Sequence, residues 1–355
     1  MSALPAILTR LRNRGLARSL RSWWHYRGLY LSHSTWPKLR NLLALKVQKW
    51  LGRDVVAGLP YRYTIEPINL CNLHCPLCPT GTGALAQPRG KMSLSDFQRI
   101  VDSIAQYAYT LDLFNWGEPF LHQDIFAMIR YARAKGIAVR LSTNLNHFDA
   151  RMATETVASG LDELLVSLDG ADQEVYQAYR VGGRLETVLS NLKLLLAARR
   201  AAGRATPFVT VLTVVTKQNE AQVPAIQRLV EGLGVDNYTP VPVAIDPTKP
   251  QDVAQWLPSS RYDYFGRQAR RSPVMAFACA EPWEACTITP DGTVLPCCWF
   301  HDVRFQFGNV RREPLAQIWN NEHYVSARRA LAGRGQAATR HTLCADCLGK
   351  PVYQY

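Results

Sequence analysis

Between residues 61 and 245 of this 355-residue chain, strand-like and helix-like stretches alternate, and nothing else in the sequence restricts the fold as much. YRYTIEPINL (61–70), TLDLFNWGEP (110–119), AVRLSTN (138–144), ELLVSLDG (163–170), FVTVLTVVT (208–216) and VDNYTPVPV (235–243) are β-rich runs. Helix-periodic segments lie between them: SLSDFQRIVDSIAQYA with its Ser/Asp start, then residues 123–135, 149–159 and 184–201, then EAQVPAIQRLVEGLG. Six strands separated by helices predict an α/β fold with a parallel sheet. The polar motifs sit where strands end, the face on which βα barrels build their sites.

Beyond residue 243 the pattern changes. Residues 243–275 are irregular, with Pro247, Pro250, Pro258 and Pro273, and read as a connection. ACTITPDGTVLPCC (285–298) predicts a hairpin around a Pro-Asp-Gly turn. PLAQIWNNEHYVSARRALAGRG (314–335) predicts one helix, and a CADC knuckle follows at 344–347.

The formal charge of +13 is concentrated at one end. Residues 1–60 hold eleven Lys and Arg, from Arg10 to Arg53, against Asp54 alone, a balance of +10. The rest is close to neutral, so a nucleic-acid-binding body is not expected. Four of the nine tryptophans (Trp23, Trp24, Trp36 and Trp50) also lie here. In WPKLRNLLALKVQKWLG, Leu39, Leu42, Leu43, Val47 and Trp50 recur at helical spacing, with Lys38, Arg40, Gln48 and Lys49 mostly elsewhere. Two readings stand: contact of residues 1–55 with an anionic membrane surface, or a helical cap on the main domain. No apolar run approaches the length of a membrane span. Nine cysteines without a secretory signal point to a reducing, cytoplasmic setting, including its membrane face.

The cysteines form two groups separated by some 200 residues without any. INLCNLHCPLCPTGTG (68–83) places Cys71, Cys75 and Cys78 within eight positions; Cys279, Cys286, Cys297, Cys298, Cys344 and Cys347 form the other group. Three thiolates at C-x3-C-x2-C spacing suit three corners of a [4Fe–4S] cluster, with one iron lacking a protein ligand. The alternative is zinc with His74 as fourth donor. Cys279, Cys297, Cys344 and Cys347 make a closed four-thiolate set, with a zinc knuckle as the alternative. Cys297 is preferred to its neighbour Cys298, and Cys286 and Cys298 read as small buried residues.

The first triplet resembles that of the radical S-adenosylmethionine (SAM) superfamily. The resemblance covers residues 61–350 and implies a partial (β/α)6 TIM-like barrel with SAM chelated to the open iron. Cleavage of SAM there gives a 5′-deoxyadenosyl radical that abstracts hydrogen from substrate. Gly117, Glu118 and Pro119 resemble the family's Gly-Gly-Glu-Pro motif, whose backbone and Glu grip the SAM amino group; Trp116 replaces the first glycine. Ser142 and Asn144 stand in the ribose-contacting segment. Ser167, Asp169 and Arg180 fall in the segment that holds the SAM carboxylate, with Ser167 and Arg180 as the direct partners. The C-terminal cysteines resemble the twitch domain, the shortened SPASM form, which implies a small α+β domain with one auxiliary [4Fe–4S] cluster.

The division expected is a basic helical extension (1–60), a barrel (61–245), and a linker with the twitch domain (246–355). By resemblance the outcome is a two-electron oxidation of a small-molecule, sugar-like or lipid-linked substrate, with a flavodoxin or ferredoxin as electron donor. A peptide-modifying maturase is the alternative, and a non-catalytic zinc protein with a basic arm is the rival from outside enzymology. Glu66, just before the cysteine loop, reads as a structural hydrogen-bond partner, with proton acceptance as its second reading. The residue doing general acid–base chemistry is not assigned.

Overall fold

The computed structural model describes residues 22–245, 249–259, 279–332 and 338–347. The expected connection at 243–275 therefore lies largely outside the described residues.

The six expected strands form: β1 (Arg62–Ile65), β2 (Thr110–Asp112), β3 (Ala138–Thr143), β4 (Glu163–Ser167), β5 (Phe208–Val215) and β6 (Asn237–Pro242). Each pairs in parallel with its sequence neighbour, giving an ordered run from β6 to β1. Such strands are covered on both faces, which explains runs like Leu164–Val166 and Val209–Val211, where the apolar residues are buried. The helices begin where side chains supply the missing acceptors. Ser93 accepts from the Asp96 N–H at 3.1 Å, and Asp149 from the Met152 N–H at 2.7 Å. Asp172 does the same for Val175 at 2.9 Å, starting a short helix, Gln173–Tyr179, that the sequence reading did not separate.

The hairpin departs from expectation. Strands β7 (Ala285–Ile288) and β8 (Thr293–Leu295) pair antiparallel about Gly292, whose φ of 85° suits glycine. But β7 also pairs in parallel with β1, from Arg62↔Ala285 to Ile65↔Ile288. With β9 (Gly308–Asn309) the result is one nine-stranded sheet, so the C-terminal segment continues the barrel sheet instead of standing beside it. The single helix expected at 314–335 is two, Leu315–Ile318 and Glu322–Ala332. Asn321 separates them, because its side-chain oxygen accepts from the N–H groups of His323 and Tyr324 and so starts a new helix.

The described part of the N-terminal extension packs as two helices, α1 over residues 22–32 and α2 over Trp36–Trp50. Among the described residues, the ties it makes to the sheet are at strand beginnings. Tyr26 donates to Glu163 at 2.9 Å, His25 stacks on Phe208, and Asn41 exchanges two hydrogen bonds with Leu59. Lys46 and Lys49 reach Glu284, immediately before β7. The extension is thus a cap, but the face it packs with is Lys38, Asn41 and Leu45, not the apolar set singled out from periodicity. Leu39, Leu43, Val47 and Trp50 are exposed, and of that set Leu42 alone packs against the core.

Candidate metal and cofactor site

The chain leaves β1 at Ile65 and enters the cysteine loop through a segment fixed by buried Asn69. Asn69 donates to the Pro88 carbonyl at 2.8 Å and accepts from the Gly90 N–H at 2.7 Å, closing the loop on itself. Cys75 is buried, and Cys71 and Cys78 are half-buried. Gly81 lies against the turn at Cys75, where a Cβ would come within 2.5 Å of the Cys75 carbonyl oxygen. His74 is exposed, with its backbone N–H held by Val181 at 2.9 Å, so it offers no fourth ligand to a zinc ion in this conformation.

Burial pushes the Cys71 thiol up to about 11 and raises Cys75 as well. Donors face both sulfurs. The Leu73 N–H is 3.4 Å and the Asn144 side-chain amide 3.7 Å from Cys71 Sγ, and Arg180 Nη1 is 3.7 Å from Cys75 Sγ. Hydrogen bonds and positive charge directed at sulfur are how a protein stabilises cluster thiolates. Three such thiols on one loop, with donors already aimed at them, fit a three-cysteine iron–sulfur site.

The strand-end residues converge on this loop to different degrees. Asn144, at the end of β3, also donates to Asn72 at 2.9 Å. Arg180 pairs through Nε with buried Asp169, whose other oxygen accepts from the Val214 N–H at 2.6 Å. The guanidinium is therefore fixed between a carboxylate behind it and a cysteine sulfur in front. Ser142 and Ser167, at the ends of β3 and β4, are half-buried.

Glu118 is buried, with Oε1 accepting from the Phe120 N–H and the Thr143 hydroxyl and Oε2 from the Asn144 N–H. Its carboxylate thus ties the β2 turn to the end of β3, and through Asn144 to the cysteine loop. Desolvation raises it to about 7 despite these donors. Pro119 opens the short turn that follows. Gly117 has a steric reason to be glycine: a Cβ would stand 2.0 Å from the Ile68 carbonyl oxygen.

Glu66 accepts from the N–H groups of Trp116 and Gly117 at 2.7 and 3.2 Å through one oxygen; the other makes no hydrogen bond. Burial lifts it to about 8. The structural reading of Glu66 therefore holds for Oε1. Trp116, the departure from the family motif, keeps its backbone in this turn and sets its ring edge-on to His301, 5.7 Å away. Asn115, with its amide oriented to satisfy both ends, accepts from the Trp116 indole and donates to the Cys298 carbonyl at 3.1 Å. Trp116 and Asn115 thus link the barrel mouth to the C-terminal segment, a role that motif spacing does not reveal.

In that segment Cys344 lies within electrostatic reach of Cys279 and Cys347, and Cys297 within reach of Cys344 and Cys298. The expected four are thus linked electrostatically through Cys344, without forming a ready single-ion cage. Among the described residues no three His, Cys, Asp or Glu side chains are drawn together tightly enough to hold one metal ion. Cys297 packs with Phe300 and Leu343, and Cys344 joins the main core. Cys286 is buried within β7, where desolvation lifts it to about 12. Its reading as a small core residue holds; Cys298 remains half-buried beside the set.

Comparison with known proteins matches the same two regions. The model of the radical SAM superfamily fits residues 65–230, and that of the SPASM iron–sulfur cluster-binding domain fits residues 279–348. An AdoMet-dependent heme synthase of Methanosarcina barkeri is 24% identical, covering 78% of this chain and 88% of that protein. A PqqA peptide cyclase of Xanthomonas euvesicatoria is 26% identical, over 75% of this chain and 76% of that one. Among solved structures, Streptococcus suis SuiB bound to S-adenosylmethionine superposes with a TM-score of 0.63 at 15% identity, covering 89% of this chain and 75% of SuiB.

Proposed function

The chain belongs to the radical SAM superfamily and carries a SPASM domain, and from that premise we propose that it oxidises a small-molecule, sugar-like or lipid-linked substrate by two electrons. A [4Fe–4S] cluster with SAM supplies reductive cleavage and hydrogen abstraction from an unactivated C–H bond, and an auxiliary cluster supplies an acceptor for the remaining electron. In this reading Cys71, Cys75 and Cys78 hold the first cluster, and Cys279, Cys297, Cys344 and Cys347 hold one auxiliary cluster. Gly117 and Pro119 shape the turn that meets the SAM amino group, while Glu118 fixes that turn to β3. Ser142 and Asn144 face the ribose, and Ser167 and Arg180 take the carboxylate, with Asp169 orienting Arg180. A flavodoxin or ferredoxin delivers the electron, and the protein works in the cytoplasm, touching the inner membrane face through residues 1–55.

One observation carries this reading: Asn144, directly after β3, and Arg180, at the end of the short helix that follows β4, both direct N–H groups at sulfurs of the cysteine loop. The test is an anaerobic, reconstituted and reduced sample with SAM, which should form 5′-deoxyadenosine and be brown, with about eight iron per chain. A colourless, zinc-loaded protein that leaves SAM intact would remove it.

The second reading, a peptide-modifying enzyme, is favoured by the likeness to a PqqA peptide cyclase. Deuterated candidates separate the two, since label moves into 5′-deoxyadenosine only from the true substrate. Transfer from a peptide, and from no sugar-like compound, would replace the first reading by the second.

A further inference from the structure

Helix α2 is amphipathic the wrong way round for a cap. Its inward face holds Lys38 and Asn41 beside Leu45, and Lys38 is retained there by the Gly136 carbonyl at 2.6 Å. Its outward face is an apolar stripe: Trp36 is 75% exposed, Leu43 57%, Val47 53% and Trp50 80%, with Leu39 at 37%. At 100° per residue these five positions fall within a sector of about 80°. Arg40, which is exposed, flanks that sector on one side, while Lys46, on the other, is paired with Glu284 at 2.7 Å. Trp36 and Trp50 lie about 21 Å apart along the axis. Exposing large apolar side chains is costly when a polar face is available instead. The polar face is turned inward here because Asn41, Lys38, Lys46 and Lys49 all serve hydrogen bonds at the strand beginnings.

We propose that the outward stripe of α2, Trp36–Leu39–Leu43–Val47–Trp50 beside Arg40, is the element that docks this enzyme on an anionic lipid surface. The inference rests on the reading of residues 1–55 as a membrane contact and names the face that makes it. Charge selects this occupant over a second copy of the chain. Residues 1–60 carry +10, so two copies meeting through this element would bring like charges together, whereas anionic headgroups neutralise them. Tryptophan at both ends of the stripe suits the headgroup boundary, with the aliphatic residues between them below it. Among the described residues no helix is long and apolar enough to cross a membrane, so the contact is peripheral. Because α2 caps the beginnings of the strands, and the cysteine loop lies at their ends, docking leaves the site facing away from the bilayer. The substrate then reaches the site from solution, as a small-molecule or sugar-like compound does.

The test uses the full-length, cluster-loaded chain with vesicles of phosphatidylcholine alone or of equal parts phosphatidylcholine and phosphatidylglycerol. The wild type should sediment with the mixed vesicles only, and less so at high salt. Replacing Trp36, Leu43 and Trp50 together by Ser should lower partition about tenfold, and Arg40→Glu should lower it less. Leu194→Ser, an exposed leucine on another helix, should change nothing. Formation of 5′-deoxyadenosine should be the same in all three variants as in the wild type, which shows that they fold. Undiminished sedimentation of the triple-Ser variant would overturn the stripe while leaving residues 1–55 as the contact. No sedimentation of the wild type with either vesicle would overturn both. A wild-type dimer that the triple-Ser substitution converts to monomer, without vesicle binding, would assign the face to a second copy and overturn the proposal.

Discussion

The two cysteine groups solve one electrostatic problem in different ways. Cys71, Cys75 and Cys78 come from one loop after one strand, and backbone and side-chain donors meet two of their sulfurs. Cys279, Cys297, Cys344 and Cys347 come from three separate places, and burial raises both Cys297 and Cys344 strongly. The charge of Glu281 opposes thiolate formation at both further, although its own partner is Arg62 at 2.8 Å. A site made by a local loop can remain open on one side. A site closed by distant segments depends on the fold being complete, and cluster binding there stabilises the fold in return.

That contrast can be broken most sharply at the cysteines. Cys75→Ala should abolish 5′-deoxyadenosine formation, a loss of about a thousandfold or more, and remove about half the iron. Cys344→Ala should also halve the iron but leave SAM cleavage in place, while product formation from the true substrate is lost and the melting temperature falls. Equal loss of SAM cleavage in both variants would show that the two sites are not separable.

Next in size is Gly117→Ala. The close approach to Ile68 means that the turn must move, at a cost of about 2–4 kcal/mol, and SAM affinity should fall with it. Unchanged unfolding and SAM binding would place the turn outside the cofactor site.

Arg180→Lys should weaken SAM binding by about tenfold to a hundredfold, because an ammonium cannot serve Asp169 and a second anion with one planar fork. Isothermal titration with SAM reads this directly. A wild-type affinity in the variant would confine Arg180 to the Asp169 pair.

The last prediction is a pH slope. Glu66 holds its proton in the fold up to about 8, while the unfolded chain releases it near the ordinary glutamate value. Between those values the unfolded state binds fewer protons, so this group's contribution to stability falls as pH rises. Glu66→Gln keeps an acceptor for the Trp116 and Gly117 N–H groups and removes the titration. Its melting temperature relative to wild type should therefore climb between about pH 5 and pH 8. A constant difference across that range would show Glu66 ionised in the native protein.

Local pattern determined much of this protein. Six parallel strands, the helices between them, the hairpin and the grouping of cysteines were legible because strand and helix periodicity and ligand spacing are short-range properties. Glu118, Asn144, Asp169 and Arg180 were all legible as site residues, but not that Glu118 pairs with Asn144 and Arg180 with Asp169, since such contacts depend on how the sheet and the helix after β4 place those segments.

Tertiary structure alone decided three things. It joined β7 to β1, because an edge strand is satisfied by any exposed partner of suitable register, wherever that partner lies in the sequence. It set Trp116 against His301, a contact between segments some 185 residues apart. And it turned α2 so that its polar side faces the barrel. Periodicity shows that a helix has two unlike faces, but which face is buried depends on the groups waiting opposite it, here Leu59, Gly136 and Glu284.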